Sequence, residues 1–146
     1  MSEFIIAIHA LVYLSHNSVS KSSEELSENL CTNPARIRKV MSKCKKAGLV
    51  ETKAGVNGGY NISRPGKEIN LKQVYEAINI PIVESKWHSG DTDACCMIAS
   101  GMAQYTDELF GRLNDEVIKL LAFITIDNVE DRIKEIKLEK SKNTEA

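Results

Sequence analysis

Phe4, Ile5, Ile8, Leu11 and Val12 recur at helical spacing and predict a first helix from Phe4 to about His16. His9 and His16 lie on its surface or at its end. Asn17 to Lys21 is a polar break, and Ser22-Ser23-Glu24-Glu25 then reads as a capping box opening a short helix to about Leu30. Leu26 and Leu30 share its inner face. Cys31-Thr32 is a turn. Asn33 is a good N-cap, and Pro34 at the first helical position loses no needed hydrogen bond, so a third helix is expected to about Ala47. Gly48 is a natural left-handed stop. Ile37, Val40, Met41, Cys44 and Ala47 form one face of this helix; Arg36, Lys39, Lys43 and Lys46 form the other.

Leu49–Thr52 and Tyr60–Ser63 read as two strands, joined by the glycine-rich turn Lys53–Gly59. Asn70 caps a helix from Leu71 to about Ile78. Pro81 to Asp93, with Trp87, is a loop or a short edge strand. A long helix is expected from Asp93 or Ala94 to Leu121, with Gly101 as a place where it can break. Its stripe is Tyr105, Leu109, Leu113, Val117, Leu120 and Leu121. A last helix begins at Thr125 or Asp127 and runs through Ile133 and Ile136; Lys137 to Ala146 is a charged, frayed tail. The fold class is mainly α with a small β-wing: a winged helix-turn-helix in residues 1–80, a loop in 81–93, dimerisation helices in 94–136 and a tail in 137–146.

With 146 residues, the chain has room for one compact domain plus an oligomerisation arm. No apolar run approaches the roughly 18 residues that span a bilayer. An acid, not a basic cluster, precedes the first apolar stretch, so no signal peptide and no membrane partner are expected. That places the chain in the cytoplasm, where its four cysteines start out as free thiols.

A net charge of −1 argues against nucleic acid until its distribution is read. Thr32 to Arg64 holds eight basic residues and one acid, a local +7 against −8 elsewhere. Two helices joined by a short turn, the second one basic, form a helix-turn-helix. The apolar face pins the second helix, and the other face can enter a major groove. Thr32, Asn33, Ala35 and Arg36 are best placed for base edges, and Lys39, Lys43 and Lys46 for phosphates. Lys53 to Gly59 is the wing, whose glycines let backbone approach the sugar-phosphate chain.

The stretches AIHALVYL (7–14), CTNPARIRKVMSKCKKAGLVETKAGVNGGYNISRP (31–65) and INLKQVYEAI (69–78) resemble the Rrf2 family of bacterial repressors, which includes IscR-, NsrR- and CymR-type regulators. The resemblance covers almost the whole chain. It implies a homodimer whose long helix crosses its partner, bound to a palindromic operator in double-stranded DNA. It implies Thr32, Asn33, Arg36 and Arg38 at the recognition helix, and Asn57, Gly58 and Gly59 at the wing tip. With Lys39, Lys43 and Lys53, these are the expected DNA-binding residues.

Cys31 precedes the recognition helix, and Cys95 and Cys96 lie near the start of the long helix, where a helix N-terminus favours thiolate. Cys44, on the inward face, is expected to be a buried hydrophobe. Family members that sense hypochlorite and related oxidants resemble this layout. The resemblance implies redox-sensing Cys31, Cys95 and Cys96, with Cys31 bridging to Cys95 or Cys96 of the partner subunit. Other members hold an iron–sulfur cluster through three cysteines in the loop before the long helix. This chain has two adjacent ones there, with His88 or Asp91 as the only substitutes, so neither cofactor nor metal is expected.

Two alternatives share the sequence. A small ligand or a partner protein could control the same regulator, with Trp87, His88 and Tyr105 lining a pocket. A winged helix can also serve as a protein adaptor without DNA. No enzyme is expected: GVNGG sits in a hairpin rather than before a helix, and no nucleophile has an evident base.

Overall fold

The computed structural model describes residues 1–144. The order is α1 (Ser2–Asn17), α2 (Ser23–Asn29), α3 (Pro34–Lys46), β1 (Val50–Lys53), β2 (Gly59–Ile62), a single 3₁₀ turn (Gly66–Glu68), α4 (Leu71–Ile78), α5 (Met97–Leu121) and α6 (Ile126–Thr144). Local hydrogen bonds set most of these boundaries. Ser22 and Glu25 close a reciprocal capping box at α2, and Asn70 and Gln73 close one at α4. The Asn33 side chain accepts from the Arg36 N–H at 2.9 Å, and Pro34 follows it. Gly48 takes φ +70 just after α3.

The core joins α1, α2, α3, β1, α4 and the start of α6. Helix α1 lies at its centre, with Ala7, Ala10 and Leu11 fully buried. Alanines here let neighbouring helices approach closely. The inward set on α1 is Phe4, Ile6, Ala7, Ala10, Leu11, Val12 and Leu14, while Ile5 faces out. Partners on several sides bury more of the helix than one stripe would suggest. On α3 the inward set is Ile37, Val40, Met41 and Cys44; Ala47, at the cap, is exposed.

Ile37 has no exposed surface and packs the first turns of α3 into this core. Replacing Ile37 by Ala removes buried methylenes and leaves a cavity, at a cost of about 2–5 kcal/mol. Urea unfolding of the wild type and this variant measures it, and a loss near zero would show that α3 is not held by this contact.

The strands pair antiparallel, Val50 with Ile62 through Lys53 with Gly59. A further bridge joins Lys21 to Tyr60. Tyr60 N–H donates to the Lys21 carbonyl at 2.8 Å and Lys21 N–H returns to the Tyr60 carbonyl at 3.0 Å, which docks the wing on the segment before α2.

Two boundaries differ from the sequence reading, and one open alternative is settled. Helix α5 starts at Met97 and is unbroken through Gly101 and Gly111. Neither glycine takes a positive φ, and a Cβ at either would meet open space. Each costs only about 1 kcal/mol against alanine in a helix, too little to break a ladder this long. Residues 81–93 form a loop without a strand. Helix α6 runs on past Ile136 to Thr144, with Lys134 paired to Glu130 and Arg132 to Glu135 and Glu139 along it. Of the expected tail, residues 145 and 146 lie outside the described residues.

The loop before α5 is tied along one side of that helix. Asn114 exchanges hydrogen bonds with the backbone of Val83 at 3.0 and 2.8 Å, His88 meets Asp107 at 3.0 Å, and Asp91 N–H donates to the Ala99 carbonyl. The other side stays uncovered: Ile98, Tyr105, Leu109, Leu113 and Leu120 are all exposed. At the C-terminal end of the stripe Leu121 is buried and Val117 packs on the core, so this end belongs to the chain's own fold.

Candidate nucleic-acid interface

The inward set on α3 turns Ala35, Lys39, Ser42 and Lys46 outward, at steps of four, three and four. Arg36 and Lys43 flank this stripe on one side, and Arg38 and Lys45 on the other. Residues of one charge here do not share one situation. Arg36 and Lys46 are exposed and form no ion pair among the described residues. Their charge faces water.

Lys39 and Lys43 converge on one acid. Their ammoniums lie 2.6 and 2.7 Å from the two carboxylate oxygens of Glu3, on α1. Hydrogen bonds from Lys39 and Lys43 hold the Glu3 carboxyl down, from its ordinary 4.5 to about 2. A depressed carboxylate stabilises the fold above its ordinary range, and that contribution is lost as pH falls towards about 2. Lys43 also donates to the Ile78 carbonyl at 3.2 Å, at the end of α4. It therefore ties three helices together, and only a third of its side chain is exposed.

Arg38 reaches Ser23 Oγ at 3.1 Å and the Glu24 carboxylate at 3.3 Å, bracing α3 against α2. Asn33 spends its side-chain oxygen on the helix cap. Thr32 is half-buried and donates its N–H to the Ser27 carbonyl at 3.0 Å. Arg64 and Ser63 both donate to the Gly48 carbonyl, at 3.1 and 2.7 Å, closing the end of α3.

On the wing, Lys53 and Asn57 are exposed. Gly58 and Gly59 have an internal reason for being glycine. A Cβ on Gly58 would run into the Lys53 carbonyl, and one on Gly59, at φ +145, into the Lys21 carbonyl. The turn and its docking on residue 21 require both.

Sequence reasoning missed Glu3, Ser23 and Glu24, the partners of the basic side chains. Nothing local marks them, because each meets α3 only after the helices dock. Ser42 was also missed, and the helical spacing of Ala35, Lys39 and Lys46 points to it.

Cys31 is exposed and sits at φ +50, an uncommon conformation for a non-glycine residue. Cys95 and Cys96 are exposed as well. Cys96 is the N-cap of α5, and the N–H groups of Ala99 and Ile98 lower its pKa. Cys44 is buried, and burial raises its thiol to about 11. Trp87 and Tyr105 are exposed to 75% and 61%, and His88 is paired with Asp107.

No helix among the described residues is long and apolar enough to cross a membrane. The model of the Rrf2 family, described as an iron-dependent transcriptional regulator, matches residues 1–132. YwgB of Bacillus subtilis (strain 168), named as an HTH-type transcriptional regulator, is 27% identical over 140 residues, covering 89% of this chain and 83% of YwgB. A crystal structure described as a transcriptional regulator of Lactobacillus plantarum superposes with a TM-score of 0.76 at 24% identity, covering 97% of each chain. CymR of B. subtilis, described as the global cysteine regulator, superposes with a TM-score of 0.65 at 16% identity, over 90% of this chain and 95% of CymR. The last two likenesses concern the fold.

Iron in the family's description meets an unfitting donor set here. Among the described residues no three His, Cys, Asp or Glu side chains gather as metal ligands. Adjacent Cys95 and Cys96 cannot replace ligands spaced around a cluster, and Cys44 is locked in the core.

Proposed function

The chain belongs to the Rrf2 family of transcriptional regulators, and from that premise we propose that it is a homodimeric repressor that binds a palindromic operator and responds to oxidants through its thiols. The observation that carries the DNA reading is the outward face of α3. Among the described residues Arg36 and Lys46 stand there without acidic partners, while Ile37, Val40, Met41 and Cys44 anchor the opposite face. Arg36 reads guanine edges in the major groove; Lys46 and Lys53 meet phosphates. The uncovered stripe Ile98 to Leu113 on α5 supports the homodimer, because an apolar helix face of this length needs cover.

Chemistry distinguishes the two neighbouring cysteines. Cys96 stands at the N-cap position of α5, where the N–H groups of Ala99 and Ile98 favour its thiolate. A two-electron oxidant such as hydrogen peroxide transfers oxygen to the Cys96 thiolate and gives a sulfenic acid. The thiolate of Cys31 of the partner subunit then attacks that sulfur and releases hydroxide. Two thiols lose two protons and two electrons in all, peroxide is reduced to water, and the disulfide changes the spacing of the reading heads.

Gel shifts of reduced and peroxide-treated protein test this on the duplex upstream of the chain's own coding sequence. The expected result is a change in affinity together with reducible, covalently linked dimers. Both are absent from Cys31→Ser and from Cys96→Ser but retained in Cys95→Ser. A Cys31→Ser variant that still forms the dimers and still switches rules out the thiol mechanism.

A further inference from the structure

Glu3 is an acid inside a basic reading surface. It belongs to α1, yet its carboxylate spans Lys39 and Lys43 on α3, one ammonium on each oxygen at 2.6 and 2.7 Å. Its side chain is only 16% exposed, because the lysines cover it. Lys39 itself is 67% exposed and lies on the outward stripe with Ala35, Ser42 and Lys46, where a phosphate would approach. Each carboxylate oxygen thus takes up an ammonium that would otherwise be open to a phosphate oxygen.

We propose that Glu3 sets the level of sequence-independent DNA binding: it occupies Lys39 and Lys43 in place of DNA phosphate and so holds down affinity for DNA of arbitrary sequence. This rests on the DNA-binding reading above. The physical reason is that sequence-independent affinity grows with the number of phosphates neutralised and of counterions released. A lysine already neutralised by an internal carboxylate adds little to that term, because phosphate must first displace the acid. Arg36, which has no such partner among the described residues, keeps its charge for the groove. Removing the acid raises affinity for every sequence alike, operator included, because the phosphate contribution does not depend on sequence. A carboxylate that merely clamped α1 to α3 would instead affect unfolding and leave the salt dependence of binding unchanged.

The test is fluorescence anisotropy with a labelled random-sequence duplex, titrated at several salt concentrations with the full chain, wild type and Glu3→Gln. Expected for Glu3→Gln is a salt slope steeper by about 1–2, at roughly 0.9 per phosphate gained. Affinity for the random duplex at 100 mM salt should rise about tenfold. Adding Lys39→Met to Glu3→Gln should cut the gain in slope by about half, which ties the effect to the released ammonium. Thermal melting identifies any poorly folded variant, and Glu3→Ala serves as the second variant if glutamine still bridges the lysines. Equal slopes and affinities for wild type and both folded Glu3 variants overturn the inference alone. A wild type that binds no duplex at any salt overturns the DNA-binding reading and this inference with it.

Discussion

Leu113→Glu is expected to yield a folded monomer whose affinity for the operator drops at least about 100-fold. Leu113 is 42% exposed on the uncovered face of α5 and lies outside the core, so the substitution leaves the winged-helix unit intact. In the proposed dimer it meets the partner helix, and burying an unpaired carboxylate in an apolar seam costs several kcal/mol. The loss in DNA binding follows from geometry. Two recognition helices joined in one dimer reach half-sites about one helical turn apart, and the second contact is then intramolecular. Linkage of this kind is worth about 10²–10⁴ in affinity. Sedimentation at micromolar concentration and anisotropy on the same sample measure both effects. An unchanged dimer would move the seam elsewhere, and exposed Ile133, Ile136 and Leu138 on α6 are then the surface to probe.

Arg36→Ala is expected to lower operator affinity by about 10- to 100-fold while changing random-sequence affinity several-fold at most. A bidentate arginine–guanine contact discriminates by about 1–3 kcal/mol, and that energy is absent on a random duplex. Lys46→Ala should behave differently, weakening both duplexes alike and making the salt slope shallower by about 1. Lys43→Met should differ again. Its ammonium is bound to Glu3 and to the Ile78 carbonyl, so its removal strands an acid and frees the end of α4. The main effect there is on unfolding. Competition between operator and random duplex, followed by urea unfolding of each variant, separates the three. If Arg36→Ala weakens both duplexes equally, Arg36 contacts phosphate and base reading moves to the outward residues Ala35 and Ser42.

The contrast among these three residues marks what could be read from the sequence. The helix starts were legible because each is encoded within three or four positions: Ser22 with Glu25, Asn33 with Arg36, Asn70 with Gln73. Helical spacing likewise gave the two faces of α3 and the apolar stripe of α5. These give a helix-turn-helix with a basic second helix, since capping and amphipathic burial are local effects with short sequence signatures. The wing is read from two short strands around a glycine-rich turn and from the family resemblance.

Tertiary structure decided which basic side chains face water and which are already occupied. Glu3 and Lys43 lie 40 positions apart, and Arg38 lies 14 from Glu24, so no window along the sequence pairs them. The docking of α1 and α2 on α3 brings them together. The same holds for the stripe on α5, open from Ile98 to Leu113 but closed at Leu121, and for the loop that Asn114 ties along its other side. Short-range hydrogen bonds are written into neighbouring residues. Partnerships between distant charges and the cover on an apolar face depend on how the helices pack, and that is a property of the whole chain.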